Sequence, residues 1–193
     1  MKLYLSAIGI DVLVLSGVVA WTCHARFITT LLLTLLATVS VICIDGILAA
    51  VCRLLPRQIL YSSKKIFRVS GGEKNFYEKI KIRKWKDKLP ELGHLTGFRK
   101  NKLEDGKNLF YVERFILEAW YGEVVHFVGM FAGLFLLLFP FGKTWTPIAV
   151  CVAVINAFLN LPFIFIQRYN TYKLSILRKS LQRKENQFLH KAS

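Results

Sequence analysis

The sequence predicts an all-α membrane protein of about four transmembrane helices, with a cytoplasmic central segment and a C-terminal amphipathic helix. Three observations predict this class. The apolar residues are gathered into four long runs, the mean hydropathy of the 193-residue chain is +0.41, and the basic residues lie between and after those runs. A bilayer explains such runs better than a globular core does, since about 20 apolar residues cross the hydrocarbon layer.

The apolar runs define the elements in order. The first two cover residues 3–21 and 28–55, and the last two cover residues 124–140 and 146–166. Between and after them lie a polar central segment, residues 56–123, and a basic tail, residues 167–193, so we treat residues 1–193 as a single membrane domain. In the tail, Leu174, Leu177 and Leu181 share a helix face among basic residues, which predicts an amphipathic helix on the membrane surface.

The charges predict the orientation. The central segment holds 16 Lys and Arg residues and the tail holds 7, whereas the two short turns hold one each, Arg26 and Lys143. The positive-inside rule therefore places both termini in the cytoplasm of a multi-pass cell-membrane protein. The formal net charge of +15 then indicates anionic phospholipids as partners, and we expect no nucleic-acid partner.

The third run carries the candidate catalytic residues. Glu118, Glu123 and His126 lie where the polar segment enters the membrane, and Glu123 and His126 share a helix face. A carboxylate can orient an imidazole and raise its basicity, which prepares it to take a proton from a hydroxyl. The alternative is a Glu–His pair that only stabilises the helix entry. His94 is a possible second base.

Further polar residues lie in or beside the other runs. Asn160 precedes Pro162, a position where a proline frees a backbone carbonyl, and Arg168 follows at the end of the fourth run. Arg168 could pair with a carboxylate or a phosphate, or reach the lipid headgroups. Asp45 could contact Arg or Asn from another span or line a polar cavity. The histidines and cysteines are too scattered to predict a metal site.

Several stretches together resemble the glycosyl-4,4'-diaponeurosporenoate acyltransferase family, which completes a carotenoid glycolipid. The most distinctive are the Trp-Lys-Asp-Lys-Leu-Pro element ending at Pro90 and the Gln-Arg-Tyr-Asn element beginning at Gln167. The order and spacing also match in three shorter stretches, namely Arg114–Glu118, Glu123–His126 and Asn160–Pro162.

The resemblance implies a membrane-bound acyltransferase that moves a fatty acyl group from an activated donor to a hydroxyl of a glycolipid acceptor similar to a carotenoid glycoside. His126, oriented by Glu123 or Glu118, would take the proton of that hydroxyl. We expect acyl-CoA or an acyl-carrier thioester as the donor and no cofactor. The predicted substrate-binding residues are Lys84, Trp85, Lys86, Asp87, Lys88, Asn160, Gln167, Arg168 and Asn170.

Two other classes of protein fit the same sequence. One is a different membrane lipid enzyme, of the methyltransferase or reductase type, since such enzymes also end in Arg- and Tyr-rich motifs. The other is a non-catalytic scaffold that holds lipids or partners on its basic face. The acceptor, the donor chain length and the oligomeric state are left open by the sequence.

Overall fold

The computed structural model describes residues 2–89, 103 and 105–192. The regular structure in these ranges is helical throughout, in seven α-helices and two 3₁₀ helices. The α-helices are α1 (Lys2–Thr22), α2 (Phe27–Arg53), α3 (Arg57–Ser62), α4 (Gly71–Lys79), α5 (Ile82–Trp85), α6 (Leu109–Gly129) and α7 (Trp145–Ala192). The 3₁₀ helices are Lys86–Lys88 and Ala132–Leu138. His94 lies outside the described residues.

Four helical stretches of the described chain are long and apolar enough to cross a membrane. They are Leu5–Thr22, Phe27–Arg53, Leu109–Leu138 and Trp145–Phe188. The first two match the predicted runs to within a few residues, because an uninterrupted apolar run is itself the signal for a span. The all-helical membrane class predicted from the sequence is confirmed.

The third helix begins earlier than predicted. The sequence places the span at residues 124–140, but α6 starts at Leu109 and continues into the 3₁₀ helix that ends at Leu138. The buried residues recur at helical spacing, and they include Val112, Phe115, Ile116, Ala119 and Trp120. Glu113, Arg114 and Glu118 are half-buried or exposed between these buried positions, and they do not end the helix.

The fourth helix and the basic tail are one element. The sequence predicts a separate tail helix after residue 166, whereas α7 passes through Pro162 without ending and continues to Ala192. A proline costs a helix one backbone hydrogen bond, and the turns on both sides of it are packed here. Asn160 contacts His126 before the proline, and Phe165 packs against Phe76 after it.

The chain divides into two compact units. The first comprises Met1–Leu54 and Val124–Phe163, and the second comprises Leu55–Glu123 and Ile164–Ser193. The core of the first unit consists of Val19, Ala37, Val41, Leu136, Trp145, Ile148, Ala149 and Val152. Polar contacts supplement this core: Thr30 Oγ1 donates to the carbonyl of Ser16 at 3.1 Å, and Trp145 Nε1 donates to that of Leu136 at 2.9 Å.

The core of the second unit is aromatic. Tyr77, Ile82 and Tyr169 are buried together, and Phe165 packs beside them. A second contact joins α6 to the segment after α3, where the Phe67 and Trp120 rings stack with centroids 5.0 Å apart. These contacts hold the short helices of the central segment on α6 and α7. Residues 57–88 of the predicted basic segment are therefore a folded part of this unit.

Candidate functional site

The polar residues of the first unit form a connected group, which we call the His126 cluster: His126, Asn160, Asn156, Asp45 and Gly129. His126 Nδ1 lies 2.9 Å from Asn160 Oδ1. Asn160 Nδ2 donates to the backbone carbonyl of Asn156 at 3.2 Å and to its Oδ1 at 3.3 Å. Asn156 Nδ2 donates in turn to the carbonyl of Gly129 at 2.8 Å. The cluster thus joins α6 to α7.

This network assigns the tautomer of His126. Because the amide nitrogen of Asn160 faces two acceptors, its oxygen faces the imidazole and can only accept. His126 Nδ1 must therefore carry the hydrogen, which leaves the acceptor lone pair on Nε2. The ring also stacks on Phe163, with centroids 4.7 Å apart and an interplanar angle of 14°. Both contacts hold the imidazole in one orientation.

Asp45 of α2 reaches the same cluster. Its carboxylate lies beside the side chains of Asn156 and Asn160. Its Oδ1 is buried and has no hydrogen-bond partner among the residues that the structure describes. Gly129 makes room for this approach, since a β-carbon at residue 129 would lie 3.0 Å from Asp45 Oδ1 and 3.2 Å from Asn160 Oδ1.

The second unit contains another group, which we call the Arg168 cluster: Arg168, Glu73, Glu123 and Tyr77. Arg168 Nε and Nη2 donate to the two carboxylate oxygens of Glu73, the second at 2.9 Å. Its Nη1 donates to Glu123 Oε1 at 2.5 Å. The Tyr77 hydroxyl also donates to Glu73. The guanidinium is therefore bound by two carboxylates, which fixes its position and offsets its charge.

The electrostatics of α4 follow from this cluster. The hydrogen bond from Arg168 lowers the pKa of Glu73 below its usual value, against the opposing effect of burial. Burial raises the pKa of Tyr77, and its hydrogen bond to Glu73 adds to the increase. In the hydrogen-bonded pair of Glu73 and Tyr77, Glu73 is therefore the anion and Tyr77 the neutral donor near pH 7.

Most residues of the predicted basic element lie on the surface. Lys84, Asp87 and Lys88 are exposed, and Lys86 pairs with the neighbouring Asp87 at 3.3 Å. Trp85 is half-buried and its Nε1 donates to the carbonyl of Ile80 at 3.0 Å. The tryptophan therefore anchors the end of α5, and Lys84 and Lys88 on either side of it are exposed.

The predicted site residues are divided between the two units. The first unit contains His126 and Asn160, and the second contains Lys84, Trp85, Lys86, Asp87, Lys88, Glu118, Glu123, Gln167, Arg168 and Asn170. Asn160 contacts Nδ1 of His126, a role predicted for Glu123 or Glu118, and Glu123 Oε1 contacts Arg168. Gln167 is buried, and its Oε1 has no partner among the described residues.

Sequence reasoning missed Glu73 and the contact between Arg83 and Tyr169. Glu73 belongs to a capping box with Ser70, whose Oγ accepts from the backbone N–H of Glu73 at 3.2 Å, and this Ser-x-x-Glu pattern could have indicated the start of α4. Arg83 Nε donates to the Tyr169 hydroxyl at 2.5 Å, a contact across 86 residues that no local pattern signals. Within the described ranges, no three His, Cys, Asp or Glu residues converge as a metal site would require.

Comparison with known proteins gives one match. The sequence matches the family described as glycosyl-4,4'-diaponeurosporenoate acyltransferase over residues 57–180. No curated protein and no solved structure matches the chain. The matched range is well over half of the sequence and contains His126, Asn156, Asn160, Glu73, Glu123 and Arg168. The chain therefore belongs to the glycosyl-4,4'-diaponeurosporenoate acyltransferase family.

Proposed function

We propose that this protein is a membrane-bound O-acyltransferase that moves a fatty acyl group from an activated thioester to a hydroxyl of a glycolipid. Family membership supports acyl transfer, and four helices suited to a bilayer support a lipid acceptor. The observation that carries the mechanism is the contact between His126 Nδ1 and Asn160 Oδ1, because it gives the imidazole a basic Nε2.

In the proposed reaction, His126 Nε2 takes the proton of the acceptor hydroxyl as its oxygen attacks the thioester carbonyl carbon. A tetrahedral oxyanion forms and collapses, the carbon–sulfur bond breaks, and the proton on Nε2 passes to the leaving thiolate. The products are an ester and a free thiol, so His126 ends in its starting state. Asn160 is the positioning residue in this scheme, because it holds the tautomer through Nδ1.

The other proposed roles follow the charge of the side chains. The exposed Lys84 and Lys88, with Trp85, Lys86, Asp87, Gln167, Arg168 and Asn170, are proposed to hold the substrates. Glu123 is proposed to act through Arg168, which it contacts, and Glu118 remains a candidate partner of the base. The donor is proposed to be acyl-CoA or an acyl-carrier thioester presented from the cytoplasm, with anionic phospholipids at the basic surface.

The acceptor is proposed to be a glycolipid similar to a carotenoid glycoside. Lipid mass spectrometry of cells with and without the gene tests this, and the expected result is loss of one acylated glycolipid. Purified membranes supplied with labelled acyl-CoA, S-adenosylmethionine or NADPH test the reaction class. Use of either of the latter two in place of the thioester would contradict acyl transfer and support the alternative lipid enzymes.

Replacing His126 tests the base. We expect His126→Ala to lower kcat by about 10²–10⁴-fold, the usual contribution of general base catalysis. Asn160→Leu should also lower kcat, whereas Asn160→Asp keeps an acceptor for His126 Nδ1 and should retain more activity than Asn160→Leu. Labelled acyl product formed by membranes containing equal amounts of each variant is the measurement.

A matched histidine provides the control. His24 is exposed in the turn between α1 and α2 at a φ of 50°, and His24→Asn suits this backbone because Asn tolerates the left-handed region. This variant should keep wild-type turnover. Full activity of His126→Ala would contradict the role of His126 as the base. It would not contradict acyl transfer itself, which the lipid mass spectrometry tests separately.

A further inference from the structure

We propose that Arg83 and Lys173, both held against Tyr169, form a binding site for a phosphate group. Arg83 Nε donates to the Tyr169 hydroxyl at 2.5 Å. Lys173 follows Tyr169 by one helical turn, and its Nζ lies 5.7 Å from the centroid of the same ring. Two cationic groups from different helices, α5 and α7, are thus gathered at one side chain. We call these three residues the Tyr169 site.

Tyr169 is a fixed support for the two cations. It is only 3% exposed and belongs to the buried cluster with Tyr77 and Ile82. Its ring meets that of Tyr77 edge-on, with centroids 6.3 Å apart. Because the ring is packed on these neighbours, its hydroxyl has a defined position. The hydrogen bond to it restricts the Arg83 side chain, which lowers the entropy lost when a ligand binds.

Arg83 retains the groups that recognise phosphate. Its hydrogen bond to Tyr169 uses only Nε and a phenol oxygen, not a carboxylate, and it raises the pKa of Arg83. Nη1 and Nη2 have no hydrogen-bond partner within the described part of the chain. Glu78 attracts the guanidinium at longer range, but its carboxylate pairs with Lys74 at 3.4 Å. A guanidinium with both terminal nitrogens available matches the fork of two phosphate oxygens.

Arg168 contrasts with Arg83 in this respect. Its nitrogens already contact two carboxylates, from Glu73 and Glu123, and the carbonyl of Ile66. Binding a phosphate there would require breaking these pairs inside a partly buried cluster, which is costly. Arg83 is exposed and Lys173 half-buried, so an anion reaches them without that loss. Of these two arginines, Arg83 is therefore the better suited to bind a phosphate.

A phosphate group can come from two sources at a membrane surface. One is the phosphorylated moiety of the acyl donor, an identification that rests on the proposed function. The other is the headgroup of an anionic phospholipid, and this identification does not depend on the proposed function. In both cases the chemistry is the same: the guanidinium takes two oxygens, and the ammonium of Lys173 adds a point charge.

The experiment measures binding without turnover, using the full-length protein in detergent. Coenzyme A without an acyl group is one probe, and short-chain phosphatidylglycerol, compared with phosphatidylcholine, is the other. We expect Arg83→Gln and Lys173→Gln each to weaken binding of at least one phosphorylated probe about tenfold or more. Tyr169→Phe keeps the ring and removes the hydroxyl, so it should weaken binding in the same direction by less.

The matched control is Lys179→Gln, an exposed basic residue further along α7, which should bind both probes as the wild type does. Weaker coenzyme A binding identifies the donor as the source of the phosphate, and weaker phosphatidylglycerol binding identifies the headgroup. The proposal is overturned if either Arg83→Gln or Lys173→Gln binds both probes normally, or if Lys179→Gln weakens binding equally. Because no turnover is needed, an inactive enzyme that still binds would contradict the proposed function alone.

Discussion

At the residue scale, Gly133 shows how closely two helical segments of the first unit approach. A β-carbon at residue 133 would lie 2.6 Å from Ala153 Cβ and 3.2 Å from the Ala153 backbone nitrogen. Backbone atoms cannot move aside as a flexible side chain can, so this contact requires a glycine. Small residues at such positions let membrane helices pack by van der Waals contact, where the hydrophobic effect between helices is absent.

We therefore expect Gly133→Ala to destabilise the protein by about 1–3 kcal/mol, the usual cost of overpacking a close contact. Thermal unfolding in detergent measures the change. Gly46→Ala in α2 is the control, because a β-carbon at residue 46 would meet nothing within 4 Å, and alanine favours a helix more than glycine does. Equal stability of the two variants would show that the Gly133 contact is not closely packed.

At the element scale, α4 is attached to α7 by a charged contact and an aromatic one. Glu73 accepts from Arg168 through both carboxylate oxygens, and Phe76 and Tyr77 pack against Phe165 with centroids 5.5 and 5.7 Å away. A nine-residue helix is too short to be stable alone in water. Its position therefore depends on these tertiary contacts.

The attachment of α4 should weaken in acid. The pKa of Glu73 is lower in the folded protein than its ordinary value of about 4.3. The unfolded chain therefore binds the proton more readily. The contribution of Glu73 to folding stability is fully present at pH values above its ordinary pKa. It is lost as the pH falls through the lowered pKa of the folded protein. We expect thermal stability in detergent to fall more steeply on acidification in the wild type than in Glu73→Gln.

Glu78→Gln provides the control on the same helix, since the Glu78 carboxylate pairs with Lys74 by an exposed i,i+4 contact that contributes little. Its stability should follow the wild-type pH dependence. At neutral pH, Glu73→Gln should also cost about 1–3 kcal/mol, because it leaves Arg168 with one carboxylate partner in a partly buried position. Parallel pH profiles for the wild type and Glu73→Gln would contradict the stabilising pair.

Sequence alone predicted the elements whose signal is local. The runs that became α1 and α2 are continuous apolar stretches, so their bounds agree closely with the structure. The start of α6 was missed because Glu113, Arg114 and Glu118 were interpreted as part of a polar segment, although they lie within a longer helix whose other residues are mostly buried. Likewise, the polar and basic residues after residue 166 suggested a separate tail helix, whereas α7 continues through them to Ala192.

The same limit applies to the candidate site. His126 could be chosen from the sequence because an imidazole within a membrane span is costly and therefore suggests function. The contact of its Nδ1 with Asn160, 34 residues away, depends on how α6 and α7 pack. For the same reason, the two carboxylates on Arg168 and the pairing of Arg83 with Tyr169 could not be predicted from local spacing.

At the scale of the whole molecule, charge and span count together predict a topology. Four spans return the chain to the side on which it begins, and the 16 and 7 basic residues of the central segment and the tail belong on that side by the positive-inside rule. The turn between α1 and α2 should then face the outside. This topology is proposed for the cell membrane, and it predicts that the proposed thioester donor arrives from the cytoplasm.

Two positions suited to labelling test that topology. Cys23 is exposed in the turn after α1, and Ser180 is exposed on α7 beyond the apolar run. In proteins with Cys43, Cys52 and Cys151 replaced by alanine, we expect Cys23 to react with a membrane-impermeant maleimide in intact cells. Ser180→Cys, made with Cys23 also replaced, should react only after permeabilisation.

Three spans separate the two positions, so labelling of both in intact cells would contradict the number of spans. The reversed pattern would keep the four spans but contradict the cytoplasmic position of the basic segments, and with it the proposed side of donor entry.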